Sequence, residues 1–321
     1  MRRYGPPEVL RPERIELVPL APDEVRIKTF AAAVNYTDLR IRAGDWPVRR
    51  EQPFPYVPGV EVVGEIVEVG KGAPGELLGA RAITMMQGLG GVRAERDGGY
   101  AQYVSVAHGA IATLPDDAEM AQMAALGLAG VTAFLGLAKL GPLQGRRILI
   151  TGAAGGVGSA AIGIARAQGA QVTALIGRPE QREYVTVLGA SAVLLAGRGE
   201  SPQLPPASFD AVLDVVGGAL FASLVGALAD GGTYSMVGAV GGGEVSFDAW
   251  NLIRPVTLTG YSTETLDGRD LACAMQAICG YLSNGQLQAP KWQAFQLADA
   301  ALAHAELEKG AVTGRVLLLA S

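Results

Sequence analysis

Cysteine is almost missing, with two in 321 residues. That excludes a disulfide framework and any four-thiolate zinc site. Blocks of lysine or arginine are missing too, and Lys+Arg 26 against Asp+Glu 31 leave a formal net charge of −5. Such a balance argues against a nucleic-acid partner or an acidic membrane surface. The opening MRRYGPPEVL lacks the apolar core of a secretory signal. The longest apolar stretches, residues 120–140 and 152–165, are broken by glycines and carry no stop-transfer flank. A cytoplasmic location with no membrane partner is the expectation. Charged residues are sparse at 18% and aromatic ones at 6%, whereas hydrophobic residues make up 49% and glycines number 44. An α/β enzyme with buried parallel strands has this texture, and the length predicts two domains.

Residues 1–117 read as β structure. Residues 24–30 and 60–69 alternate polar and apolar, the mark of half-buried strands, and Gly64 predicts a bulge or tight bend. A further strand is expected over 98–106. The texture changes after Leu114-Pro-Asp-Asp117. Asp116 or Asp117 can cap a helix from Ala118 to about Ala125, and a second helix follows Gly130. Strands at 147–151, 171–176, 211–216, 232–238 and 256–261 then alternate with helices such as 157–168, as in an open parallel sheet. Residues 197–206 read as a surface loop. The closing strand, 314–319, rejoins the first domain, so the division expected is 1–117 with 257–321, and 118–256.

The segment Ile148-Leu-Ile-Thr-Gly-Ala-Ala-Gly-Gly-Val-Gly-Ser-Ala-Ala161 carries the chemistry. Gly156-Val-Gly158-Ser-Ala-Ala161 fits G-x-G-x-x-A between a strand and a helix. Glycines there let the backbone approach a pyrophosphate, and the helix N-terminus offers N–H groups to it. The dinucleotide is chosen at the tip of the next strand. An NAD site would place Asp or Glu there; this chain has Gly177-Arg178, with Arg182 one turn on. Arginine pairs with a 2′-phosphate through a charge-assisted fork, which favours NADPH.

Taken together, AAAVNYTDLRIRAGDWP (31–47), VPGVEVVGEIVEVG (57–70), GGYAQYVSV (98–106), GLAGVTAFLGL (127–137), ITGAAGGVGSAAIGIARAQGA (150–170) and FDAVLDVVGG (209–218) resemble the medium-chain dehydrogenase/reductase superfamily. The branch they resemble is the zinc-free quinone oxidoreductases of the zeta-crystallin type. The resemblance implies an α/β fold: a Rossmann-type doubly wound parallel sheet plus a GroES-like β-barrel domain. Zinc members hold metal on a Cys and a His whose positions here are Asn35 and Val60, neither of which replaces thiolate or imidazole. No metal is therefore expected. Without that Lewis acid, an acceptor that spreads charge over a conjugated system suits hydride transfer, so a quinone or related conjugated carbonyl is the expected substrate.

By resemblance, Asn35, Tyr36 and Trp46 line the reaction site, Asn35 beside the nicotinamide. Thr132 contacts the nicotinamide ribose or phosphate. Gly155, Gly156, Val157 and Gly158 cradle the pyrophosphate, and Gly177, Arg178 and Arg182 meet the adenosine end. Val216, Gly217, Val237 and Gly238 line the crevice. Three departures stand out. Trp46 replaces a tyrosine common near the pocket and used as a donor by enoyl reductases, which argues against enal, enone or enoyl-thioester reduction. Ala196 replaces a tyrosine that often helps hold the 2′-phosphate, and the usual first strand is shortened. Residues 256–260 resemble an edge strand through which relatives dimerise, so a homodimer is expected. The resemblance also carries crystallin-like or RNA-binding alternatives, which the phosphate loop and acidic charge disfavour.

Several side chains have plainer readings. Cys273 and Cys279, six apart on one helix, face different ways and fill the core. His108 is a loop residue, and His304 sits near a helix C-terminus where an imidazolium is favourable. Asp38 is a helix N-terminal carboxylate. Met85, Met86 and Gln87 edge the cleft.

Overall fold

The computed structural model describes residues 1–320 apart from Arg198, with the side chains of Gln87 and Val92 also left aside. The chain forms two compact units: Met1–Leu128, Thr263–Cys279 and Lys291–Ser321 in one, Ala129–Ser262 and Gly280–Pro290 in the other.

The strands, in chain order, are β1 (Glu24–Val34), β2 (Glu61–Val69), β3 (Arg81–Met85), β4 (Tyr103–Ala107) and β5 (Ile111–Thr113), then β6 (Arg147–Ile150), β7 (Gln171–Ile176) and β8 (Ala192–Leu195). They continue with β9 (Phe209–Asp214), β10 (Leu228–Met236), β11 (Thr257–Gly260), β12 (Trp292–Gln296) and β13 (Arg315–Leu319). The helices are α1 (Tyr36–Ala43), α2 (Met120–Ala138), α3 (Gly156–Ala167), α4 (Arg182–Val187), α5 (Phe221–Gly226), α6 (Gly268–Ser283) and α7 (Ala300–Glu308).

The first unit is built on a seven-stranded sheet ordered β12-β13-β1-β2-β3-β5, with β4 also paired to β1. Period-2 alternation buries one face of β1 and β2, and Val25, Ile27, Val62, Ile66, Val104 and Val106 form its core. The closing strand β13 pairs antiparallel with β1, Ala31 opposite Leu319, so this unit is discontinuous in sequence. The predicted irregularity at Gly64 is real. The register of β1 against β2 slips between Thr29 and Ala31, and a Cβ on Gly64 would stand 2.1 Å from the Lys28 carbonyl oxygen.

The second unit is a six-stranded parallel sheet ordered β11-β10-β9-β6-β7-β8, with its inner strands buried on both faces. Order reverses at β6, between β9 and β7, which is the switch point where such sheets bind ligands beyond their strand C-termini.

Several expectations need correction. The strand expected over 98–106 is confined to Tyr103–Ala107, because the backbone N–H groups of Gly98, Gly99 and Tyr100 donate to Val57, Gly59 and Pro58 in a turn instead of a ladder. Helix α2 starts at Met120, capped by Glu119, whose carboxylate accepts from the N–H groups of Ala121 and Gln122. Asp116 and Asp117 do not cap it. It breaks at Gly127 (φ 3°, ψ −119°), within the interval expected between Ala125 and Gly130. This helix is long and apolar enough to cross a membrane, yet 72% of its apolar window is buried within the protein. Cys273 is exposed and only Cys279 is half-buried, its Sγ 3.8 Å from Met123 Sδ, so Cys273 is no core filler. His108 does lie in the connection between β4 and β5, where it opens a 3-10 turn, His108–Ala110.

Candidate active site

The glycine-rich turn lies within the second unit. β6 ends at Ile150, the chain turns through Gly152 at φ +54°, and α3 begins at Gly156 with Gly155 as its N-cap. No side chain caps this helix. Its first-turn N–H groups, from Gly156, Val157 and Gly158, therefore point out of the N-terminus for an anion to take. Gly158 is buried in the tight approach of helix to turn, where a Cβ would stand 2.3 Å from the Gly152 carbonyl oxygen and 2.6 Å from Ala153 Cα. Gly158 is thus a steric requirement of the turn.

Across the switch point, Asp214 at the end of β9 is fully buried. Its carboxylate accepts from Thr151 Oγ1 at 2.5 Å, from the N–H of Val216 at 2.8 Å and of Gly217 at 3.1 Å, and from the Tyr234 hydroxyl. Burial and that carboxylate push the Tyr234 phenol pKa far up. One carboxylate so fixes the turns after β6 and β9. Val216 and Gly217 sit in that turn, Gly217 at φ +67°. Val237 donates its N–H to the Asp214 carbonyl at 2.8 Å, and a Cβ on Gly238 would meet the Val215 carbonyl oxygen at 2.6 Å.

The adenosine end is more open. A Cβ on Gly177, at the tip of β7, would meet nothing closer than 4.0 Å. Arg178 follows, its Nε 2.9 Å from Glu180 Oε1, and its N–H donates to Gln181 Oε1 at 3.2 Å. Arg182 turns toward β8, with Nη1 donating to the Val193 carbonyl at 3.4 Å. Thr132 is buried on the part of α2 that belongs to this unit.

In the first unit, Asn35 caps α1. Asp38, three residues on, accepts from the Asn35 N–H at 2.8 Å and from the Val60 N–H at 3.0 Å. The Asn35 amide is held on both sides. Nδ2 donates to Glu61 Oε2 at 3.0 Å and to the Ala33 carbonyl at 3.2 Å, and Oδ1 accepts from Arg315 Nη1 at 2.9 Å. Arg315 also pairs with Glu61 at 2.7 Å, and Glu61 Oε1 accepts from the Leu128 N–H at 2.6 Å, at the break in α2. Tyr36 and Trp46, by contrast, are 42% and 38% exposed. Met85 and Met86 are buried core residues and edge no cleft; the Gln87 side chain lies outside the described residues.

Burial dominates the ionisation here. It raises Asp38 to about 7, with Glu61 adding to the shift and the bonds from Asn35 and Val60 opposing it. It lowers His304 to about 3, with the Arg42 guanidinium acting in the same direction. His304 lies inside α7, fully buried, its Nε2 3.0 Å from the Tyr100 hydroxyl. The imidazolium favoured by the sequence reading is therefore overturned, since desolvation outweighs the field of a helix end.

The Alcohol dehydrogenase GroES-like domain model matches residues 21–116, and the Zinc-binding dehydrogenase model matches 156–278. The chain is 32% identical to the acrylyl-CoA reductase of Ruegeria pomeroyi, across 95% of this chain and 93% of that one. It belongs to the medium-chain dehydrogenase/reductase superfamily. The quinone oxidoreductase of Sus scrofa is 29% identical, covering 99% of this chain and 95% of its own length. A mycobacterial protein solved with NADPH aligns with a TM-score of 0.83 at 27% identity, covering 99% of this chain and 98% of the other. The protein is an oxidoreductase of this superfamily.

Membership raises the zinc that the second family model names. The donor set here does not fit it. Asn35 and Val60 offer no thiolate or imidazole. The neighbouring carboxylate, Glu61, is already occupied by the Arg315 guanidinium at 2.7 Å, a fixed cation that would repel a second one. Sequence reasoning named Asn35 and Val60 but passed over Glu61, Arg315 and Asp214. A carboxylate inside the apolar run VLDVV and an arginine opening RVLLL were the available signals.

Proposed function

We propose that the protein is an NADPH-dependent oxidoreductase that delivers hydride to a quinone or related conjugated carbonyl without a metal. The observation that carries this reading is the uncapped first turn of α3, in which Gly158 packs too closely on Gly152 and Ala153 for a side chain. The coenzyme is supported by fit. Gly155, Gly156, Val157 and Gly158 would hold the pyrophosphate, Gly177, Arg178 and Arg182 the adenosine end, and Thr132, Val216, Gly217, Val237 and Gly238 the nicotinamide half.

A reduced nicotinamide supplies two electrons and one proton as hydride. The chain's part is to orient and to exclude water. Asn35 holds its amide rigidly through Glu61 and Arg315, which suits it to fixing one geometry at the reaction centre. Tyr36 and Trp46 offer exposed aromatic faces to a flat acceptor. The second proton comes from solvent, since the buried carboxyl of Asp38 is held by two backbone N–H groups.

A second reading, reduction of an enoyl thioester, is favoured by the full-length similarity to an acrylyl-CoA reductase. Purified protein assayed with NADPH and either benzoquinone or crotonyl-CoA separates the two, and elemental analysis checks the metal. Oxidation of NADPH by benzoquinone in zinc-free protein is expected. No turnover of either acceptor, or stoichiometric zinc, would overturn the proposal.

We also propose a homodimer formed through β11, which lies at the edge of the parallel sheet with its outer backbone groups unpaired by any strand of this chain.

A further inference from the structure

A surface cleft of about 360 Å³ in the first unit is lined by Asp45, Trp46, Pro47, Arg49, Arg93 and Glu264. Its charges are not evenly matched. Arg40 already neutralises Asp45, with Nη1 2.7 Å from Oδ2, and stacks 5.9 Å from the Trp46 ring centre. Glu264 is engaged in an interaction of its own. Arg49 and Arg93 are both exposed, and among the described residues neither guanidinium has a hydrogen bond or ion pair.

Their neighbours show the contrast. Arg50 bonds Asp97 at 3.3 Å and the Pro55 carbonyl at 3.2 Å, and lies over the Tyr56 ring. Arg96 bonds Glu24 at 2.7 Å. In a chain of net charge −5, two uncommitted guanidinium groups face one cleft. The Arg49 N–H donates to the Arg93 carbonyl at 2.9 Å, so the backbone fixes the two residues side by side. Paired guanidinium forks are the geometry that phosphate and carboxylate groups select.

We infer that this cleft is an anion subsite of the acceptor: the substrate bears a phosphate or carboxylate apart from its conjugated carbonyl, which Arg49 and Arg93 grip while its body lies along Trp46. This inference rests on the hydride-transfer reading above and narrows its substrate class. The contact is remote from the bond that changes, so it is made equally before and during hydride transfer and registers in KM more than in kcat.

The test uses matched pairs: crotonyl-CoA against its neutral N-acetylcysteamine thioester for a phosphate source, and acetylacrylate against its methyl ester for a carboxylate source. Benzoquinone serves as the uncharged reference. Wild type is expected to prefer the charged member of at least one pair. The pair that responds identifies the anion. Arg49→Gln and Arg93→Gln should each raise KM for that member roughly 10- to 100-fold, the loss of one charged hydrogen bond. The neutral member and benzoquinone should be unaffected, and Arg49→Lys should restore part of the loss. Both arginines are exposed, so an unchanged Tm shows that the variants fold.

Equal loss on charged and neutral members, or no preference for charge while benzoquinone is turned over, overturns the subsite and leaves the oxidoreductase reading standing. Calorimetric binding of butyryl-CoA and of levulinate, neither of which needs turnover, decides the subsite separately. Binding of either that weakens in both variants and with rising salt supports it, and binding of both that is indifferent to the variants and to salt overturns it.

Discussion

On the proposed reading, Arg178 would set the coenzyme choice. Its exposed pairing with Glu180 contributes little, because surface ion pairs are screened and entropically costly. A 2′-phosphate, doubly charged and offering a fork, displaces that partner readily. Arg178→Ala should weaken NADPH binding roughly 10- to 100-fold, from the worth of a charged hydrogen bond, and leave NADH nearly unchanged. Titration of both coenzymes by fluorescence checks this, and equal loss for the two would show that Arg178 does not read the phosphate. Glu61 lies at the other extreme. It is fully buried and shared by Arg315, Asn35 and Leu128, so Glu61→Ala strands a buried guanidinium. A loss of about 3–5 kcal/mol in urea unfolding is expected.

Sequence legibility divides along the same line. The strand, turn and helix around the glycine run were readable because their geometry is local: a turn, a helix start and a strand tip lie within thirty residues. Glu61 and Arg315 were not readable as a pair, because they are 254 residues apart in sequence and only the sheet brings them together.

At the scale of elements, the break in α2 is tightly constrained. A Cβ on Gly127 would stand 1.7 Å from Glu61 Oε1, at a backbone conformation outside the helical region. Gly127→Ala must therefore push Glu61 away from the Leu128 N–H. It should cost more than the ordinary mid-helix gain of about 1 kcal/mol from removing glycine, so Tm should fall and not rise. The sequence placed the break between Ala125 and Gly130 without choosing the residue. Both Gly127 and Gly130 permit one, and the carboxylate that selects Gly127 arrives from β2. The Gly64 irregularity was legible, by comparison, because a lone glycine in an alternating strand already marks a close backbone approach. Gly158→Ala tests the coenzyme site at the same scale. With Gly152 O only 2.3 Å from the new Cβ, NADPH affinity should fall by at least tenfold.

Over the whole molecule, two buried groups oppose each other in pH. Asp38 rises from its ordinary 3.8 to about 7, so between those values the folded chain binds more protons than the unfolded one. Its contribution to stability is present at low pH and is lost as pH rises through that window. His304 falls from 6.5 to about 3, so the unfolded chain binds the extra proton, and stability is lost as pH falls. Between about 4 and 6.5 the two slopes cancel, and wild type should show a flat stability profile there. His304→Gln removes one slope and should leave stability declining as pH rises from 4 to 7, read by urea unfolding across pH. A profile unchanged by the substitution would show that Asp38 is not the opposing group. The homodimer belongs to this scale as well, and a monomeric mass by light scattering at micromolar concentration would exclude it. The bounds of the two units were not legible: the change of texture after Pro115 precedes the observed boundary after Leu128, and Gly280–Pro290 returns to the second unit against the expected division. The neutrality of His304 was not legible either, because α7 gives no hint that Tyr100 packs against it.

The position of β13 carries a consequence for how the protein is made. The guanidinium that satisfies Glu61 and Asn35 sits 280 residues downstream of Asn35, on a strand that pairs with β1. During synthesis the parallel sheet, β6 to β11, is complete well before Arg315 leaves the ribosome. The first unit must wait with a naked buried carboxylate and an open edge on β1. A nascent chain stalled before residue 291 should therefore protect the parallel sheet from protease while leaving residues 24–113 cleavable, and chaperone dependence should concentrate on the N-terminal third.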